Sequence, residues 1–115
     1  MSPITLYGLK TCDTCRKALK ALDAAGKPAE FVDVRAEADL DAKLPAWLGA
    51  VGADTLVNTR STTWRGLSDA ERARKDTDPA GLLKDHPALI KRPVIETGGA
   101  VHVGWTKDVQ AALEL

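Results

Sequence analysis

A chain of 115 residues is one domain's worth, and its 44% apolar and 28% charged content is that of an ordinary globular domain. Sixteen basic side chains balance 16 acidic ones, which argues against an extended nucleic-acid surface, so no direct DNA binding is expected. No apolar run approaches the ~18 residues of a membrane span, and no charged-then-apolar signal pattern opens the chain, so the expected location is cytoplasmic.

In chain order, the apolar run at 3–7, with Ile4, Leu6 and Tyr7, predicts a first strand. Residues 8–11 read as a turn. Ala18, Leu19, Ala21 and Leu22 mark the stripe of a helix over 11–25, stopped by Gly26. Lys27-Pro28 leads into a second strand over 29–34, with Phe31, Val32 and Val34. A strand–helix–strand unit of this size favours parallel strands with a right-handed crossover.

The middle carries helical period instead. Leu40, Leu44, Trp47, Leu48 and Val51 form a stripe that Gly52 ends; Pro45 fits best in a first turn, which favours a start later than Leu40. Residues 55–58 are a short helical or loop piece. Ser68, with Glu71 three residues on, resembles a capping box. Asp78-Pro79 opens a helix to about Asp85, and His86-Pro87 breaks it. The alternating signs from Glu71 to Asp76 point to a solvated helix face. Strands return at 93–97 and 100–103 around Gly98-Gly99, a hairpin signal, and Thr106 caps a last helix over 107–115. The order predicts an α/β domain with a small four-stranded mixed sheet. Its core is residues 1–36 and 91–115, with a helical insert over about 37–90.

Cys12 and Cys15, in Cys12-Asp13-Thr14-Cys15, are the only cysteines, and they stand where the first strand hands over to the first helix. The first turn of a helix presents unpaired N–H groups and partial positive charge, which favour a thiolate. In a reducing cytosol, two close cysteines there point to redox chemistry before a structural staple. Cys12 reads as the nucleophile. Cys15, one turn on, reads as the thiol that attacks a mixed disulfide on Cys12. A closed zinc site needs about four ligands, and the only histidines, His86 and His102, lack the spacing, so no metal is expected. Arg16 is a further positive charge near Cys12. Thr11 and Thr14 are candidates to cap the helix or to bond the thiolate. Arg60 and Arg92, taken alone, are surface charges or partners of acids such as Asp33 or Glu37. Trp47, Trp64 and Trp105 are core candidates.

Leu6-Tyr7-Gly8 precedes Cys12-Asp13-Thr14-Cys15-Arg16-Lys17-Ala18; then come Leu56-Val57-Asn58-Thr59-Arg60, Thr63-Trp64-Arg65 and Leu67. His86-Pro87-Ala88-Leu89-Ile90-Lys91-Arg92-Pro93 follows. In order and spacing these pieces resemble the arsenate reductase (ArsC)/Spx/YffB family of thioredoxin-like proteins. The resemblance implies a thioredoxin-like fold with an inserted helical subdomain. It implies that Cys12 is the catalytic thiol, with Cys15, Arg60 and Arg92 at the site, and that Pro93 is a proline usually cis beside it. Thr11, Thr14, Arg16 and Pro93 make up the expected substrate side. Arsenate reductases carry a further arginine shortly after the last hairpin. Residues 102–106 contain none, and Val103-Gly104-Trp105 looks like the YffB/Spx branch. The implied function is a thiol–disulfide oxidoreductase with no tightly bound cofactor, using glutathione or thioredoxin/glutaredoxin as reductant. The alternative is an Spx-like redox-sensing regulator that binds the RNA polymerase α subunit, with arsenate reduction ranked behind both.

Overall fold

The computed structural model describes residues 3–115. Its elements are β1 (Ile4–Gly8), α1 (Asp13–Ala24), β2 (Ala29–Asp33), α2 (Leu40–Val51), α3 (Ala53–Leu56), α4 (Thr62–Arg65), α5 (Asp69–Thr77) and α6 (Pro79–Asp85). A 3-10 turn (Pro87–Leu89), β3 (Val94–Thr97), β4 (Ala100–Val103) and α7 (Lys107–Ala112) complete the order. No described helix is long and apolar enough to cross a membrane. The chain divides into two compact units: residues 3–38 with Arg92–Leu115, and Asp39–Lys91.

The first unit holds the sheet, in the order β2-β1-β3-β4. β1 runs parallel to β2, and β3 lies antiparallel to both β1 and β4. The crossover between the two parallel strands is α1, as the strand–helix–strand pattern requires. Gly98 and Gly99, with φ of 56° and 81°, form the tight turn between β3 and β4, where two positive φ angles match the twist of the strands. This mixed four-stranded sheet with its helices is the α/β arrangement that the order of elements predicts.

Side-chain alternation explains how α1 and α7 dock. Ile4, Leu6 and Gly8 share one face of β1. On α1, Cys15, Ala18 and Leu22 recur at helical spacing and are all fully buried. These residues join Ile95, Val109 and Leu113 in one core cluster, with Cys12, Leu19, Ala29, Phe31 and Trp105 packed at its margin. Each large apolar side chain so buried contributes roughly 1.5–3 kcal/mol relative to exposure. Both helices end in the same motif. Lys27 N–H donates to Leu22 O at 2.8 Å and Gly26 N–H to Asp23 O at 3.1 Å. Leu115 N–H donates to Gln110 O at 3.0 Å and Glu114 N–H to Ala111 O at 3.0 Å. Both are Schellman closures, with Gly26 in the left-handed position of the first and Glu114 in that of the second.

The second unit is helical. Leu44, Trp47, Leu56, Leu82, Leu83, Leu89 and Ile90 are its deeply buried side chains. Val57 and Ile90 form an antiparallel bridge, flanked by Asn58 N–H to Leu89 O at 2.7 Å and Lys91 N–H to Leu56 O at 2.8 Å.

Several local expectations need correction. α2 begins at Leu40 with Pro45 inside it; Asp39 caps the helix by accepting from Ala42 N–H. The carbonyl that Pro45 leaves without a helical partner belongs to Asp41, and both residues lie on the exposed face. Gly8 closes β1 rather than opening a turn, α1 starts at Asp13 rather than Thr11, and α7 stops at Ala112. One turn of helix, α4, stands in the polar stretch after Arg60, capped by Ser61, whose hydroxyl accepts from Trp64 N–H at 3.1 Å. The charged run of α5 is an ion-pair hub more than a solvated face. Arg74 bonds Glu71 at 3.1 Å, Asp85 at 3.1 Å and Asp78 at 3.3 Å, and His86 meets Glu71 at 3.1 Å. Arg72 donates to the carbonyls of Trp64 and Arg65 at 3.2 and 2.7 Å, which closes the end of α4.

Candidate active site

The end of β1 and the start of α1 are joined by a single tight turn. Cys12 N–H donates to Leu9 O at 3.0 Å, and Cys12 O accepts from Arg16 N–H at 3.0 Å. Cys12 therefore occupies the N-cap of α1, with extended backbone at φ −83° and ψ 118°. This is the position from which a side chain faces the unpaired amides of the first turn. Cys12 forms no cap bond of the kind serine or aspartate makes. Sulfur accepts weakly as a thiol and far better as a thiolate.

The two cysteines differ in burial. Cys12 is half-buried and Cys15 fully buried, and neither is in a disulfide. Cys15 lies against the end of β1: a Cβ placed on Gly8 would collide with Cys15 Sγ and lie 3.2 Å from Cys15 Cβ.

Their acidities part accordingly. Burial opposes ionisation of Cys12, but the amide and thiol of Cys15 and the guanidinium of Arg92 face its sulfur, and together they bring its pKa below the ordinary thiol value. Burial, reinforced by the hydrogen bond and charge of Cys12, pushes Cys15 up to about 11; a backbone hydrogen bond with Leu9 and the charge of Arg92 act in the other direction. Cys12 is thus the more readily ionised thiol of the two, and its neighbour the one held protonated.

Arg92 is half-buried and precedes a cis peptide bond to Pro93, itself buried. Pro93 O accepts from Gly104 N–H at 2.8 Å, which ties the start of β3 to the end of β4. The first unit therefore gathers Cys12, Cys15, Arg92 and Pro93. Arg60 belongs to the second unit. It is exposed, its N–H donates to Asn58 Oδ1 at 3.2 Å, and with Asp54, Val57, Asn58, Thr59 and Lys91 it lines a cavity of about 340 Å³. Arg16 is exposed and pairs with Asp13 one turn back on α1. Thr11 and Thr14 are exposed, and the capping position belongs to Cys12 instead of either threonine. Among the described residues, no three His, Cys, Asp or Glu side chains gather as a metal site. Gly8 and Leu9 are the neighbours that the sequence reading missed. A glycine at the end of a strand pattern is the signal of close approach that could have found Gly8.

Comparison with known proteins places the chain. Residues 7–113 match the ArsC family. An uncharacterised protein of Haemophilus influenzae is 41% identical over 112 residues, covering 95% of this chain and 97% of that one. The solved structure of a protein named YffB superposes with a TM-score of 0.84 at 36% identity, over 95% of this chain and 96% of that one. The global transcriptional regulator Spx of Bacillus subtilis is 27% identical over 107 residues, covering 91% of this chain and 82% of that one. The chain belongs to the ArsC family.

Proposed function

We propose that this protein is a thiol–disulfide oxidoreductase in which the Cys12 thiolate attacks and Cys15 resolves. The observation that carries this reading is the asymmetry of the pair: Arg92 and the amide of Cys15 favour the Cys12 thiolate, while Cys15 is buried and protonated. The substrate is a disulfide, a mixed glutathione disulfide or a small oxidised compound. Glutathione or thioredoxin/glutaredoxin returns the pair to thiols, and the covalent work falls to sulfur alone. Arg92, and Arg60 by family resemblance, offer forks for a carboxylate or oxyanion of the substrate. The proposed setting is the cytosol, where a reductant of this kind is at hand.

The test is the pH dependence of Cys12 alkylation in the wild type and in Cys15→Ser, together with turnover of a glutathione mixed disulfide. A pKa below the ordinary thiol value, raised by Arg92→Ala, with turnover that needs Cys12, supports the reading. An ordinary pKa indifferent to Arg92 and no turnover overturn it.

Similarity to Spx over most of the chain favours one second reading, a redox-sensing regulator that binds the RNA polymerase α subunit. Retention of the α subunit on immobilised protein, dependent on the oxidation state of Cys12 and Cys15, would select it. Arsenate reduction is a weaker reading, because residues 102–106 lack the arginine that arsenate reductases carry there.

A further inference from the structure

We propose that Gly8 is a positioning residue: its missing side chain leaves the space into which Cys15 Sγ sinks, and this makes Cys12 the single thiol open to an incoming substrate. The inference rests on the thiol-exchange reading and adds the device that orders its two steps.

The geometry of both partners is fixed. Gly8 faces α1 with Ile4 and Leu6, and its backbone cannot recede: it pairs with Asp33, and its carbonyl accepts from Val34 N–H at 2.9 Å. Cys15 is held on α1 between that backbone and the core cluster, with no exposed surface. A methyl group on Gly8 would overlap the sulfur and force it to move. Gly8 is not among the glycines with positive φ, so closeness of approach and not backbone freedom is what demands glycine here. Cys12, at the N-cap, retains exposure.

The chemistry follows in order. The Cys12 thiolate attacks one sulfur of a substrate disulfide; the substrate S–S bond breaks, the leaving thiolate carries off the bonding pair and takes a proton, and a Cys12–substrate disulfide forms. Cys15 then rises from Gly8 and, on reaching solvent, gives its proton to water. Its thiolate attacks Cys12 Sγ and releases the second substrate thiolate. The cysteine pair has been oxidised by two electrons and the substrate reduced to two thiols. Because Cys15 is sealed over Gly8, it does not compete for the first attack.

The experiment is alkylation of the native protein with iodoacetamide near pH 8, with the modified cysteines located by peptide mass mapping. In the wild type, Cys12 should react at least about tenfold faster than Cys15. In Gly8→Ala, the displaced Cys15 should react about tenfold faster than in the wild type. Leu22→Ala, a core truncation elsewhere on α1, should leave the ratio as it is. The double variant Gly8→Ala/Cys15→Ala should recover the thermal stability that Gly8→Ala loses, because the methyl group then fills the vacated space. Fast Cys15 modification in the wild type, an unchanged ratio in Gly8→Ala, or an equal change in Leu22→Ala overturns the proposal. So does a double variant no more stable than Gly8→Ala. If Gly8→Ala does not fold alone, the double variant decides: folded, it supports the contact; unfolded, it overturns it. A wild-type Cys12 no more reactive than an ordinary thiol strikes the oxidoreductase reading instead, and is scored separately from the protection of Cys15.

Discussion

Arg92, two residues before β3, hydrogen-bonds the sulfur of Cys12, the N-cap of α1. The two residues are far apart in sequence and meet because β1 and β3 pair antiparallel, with Tyr7 opposite Val94, so that the end of β1 lies beside the start of β3. The amide of Cys15, in the first turn of α1, and Arg92 thus act on one atom. A charge-assisted bond of this kind is worth roughly 1.5–3 kcal/mol. Arg92→Ala should therefore lower the rate of Cys12 alkylation at pH 7 by about tenfold or more. Arg92→Lys should retain part of it, since it keeps the charge and loses the fork. Stopped-flow alkylation across pH checks both. An unchanged profile in Arg92→Ala would leave the first turn of α1 as the whole cause of the acidity of Cys12.

The cysteine pair also gives stability a pH dependence with two opposed signs. The folded pKa of Cys12 is depressed, so its contribution is full above the unfolded thiol value and is lost as pH falls through the folded one. Cys15 is raised, so its contribution is full below the unfolded thiol value and is lost as pH climbs from 9.0 toward about 11. That gap corresponds to roughly 2–3 kcal/mol. Urea unfolding under reducing conditions should show the wild type losing about that much between pH 9 and 11, relative to Cys15→Ala. Equal slopes for the two proteins would mean that the thiol ionises in the folded state without penalty.

How far these features were legible in the sequence depends on their range. Gly26, Gly98-Gly99, the cap Ser68, Asp78-Pro79 and Thr106 act on residues two to four positions away, and each stands in the structure in the role its chemistry implies; the Glu71 carboxylate serves Arg74 and His86 instead. α4 is a single turn, too short to display a hydrophobic period, and its cap Ser61 lies in a polar stretch that resembles a loop. Pro45 misled because its cost depends on which face of α2 it occupies, and that face is set by packing. At the site, the placement of Cys12 followed from the strand–helix junction. The approach of Arg92 is a product of strand pairing, which periodicity does not encode and only family resemblance suggested. The opposite fates of Cys12 and Cys15 turn on Gly8, a contact across two elements.

Arg72 supplies a prediction for the second unit. Its Nε and Nη2 take the carbonyls of Trp64 and Arg65, so one planar fork closes a helix of a single turn. Lysine cannot reproduce two bonds from one plane. Arg72→Ala should cost roughly 1–2 kcal/mol, and Arg72→Lys should recover little of it. Denaturant unfolding followed by tryptophan fluorescence is the check, with Trp64 as a local reporter. Full recovery in Arg72→Lys would assign the effect to charge, through the exposed Asp69, and not to the carbonyls.

Glu114 occupies a conformation that suits glycine. Its φ of 62° places it in the left-handed position of the closure that ends α7, the position Gly26 holds at the end of α1. A side chain there costs roughly 1–2 kcal/mol relative to glycine. What Glu114 returns is small: its carboxylate lies 3.5 Å from Lys27 Nζ with 87% of the side chain exposed, and exposed pairs contribute little. The amine of Lys27 has a better bond, at 2.7 Å to the carbonyl of Leu113, and this does not depend on the side chain at 114. Glu114→Gly should therefore stabilise the protein by about 1 kcal/mol, seen as a higher midpoint in thermal or urea unfolding. Lys27→Ala should act in the opposite direction, because it strips the end of α7 of a donor that the closure itself does not replace. A loss of stability in Glu114→Gly would show that the ion pair with Lys27 outweighs the backbone cost, and that the carboxylate holds Lys27 in place to cap α7.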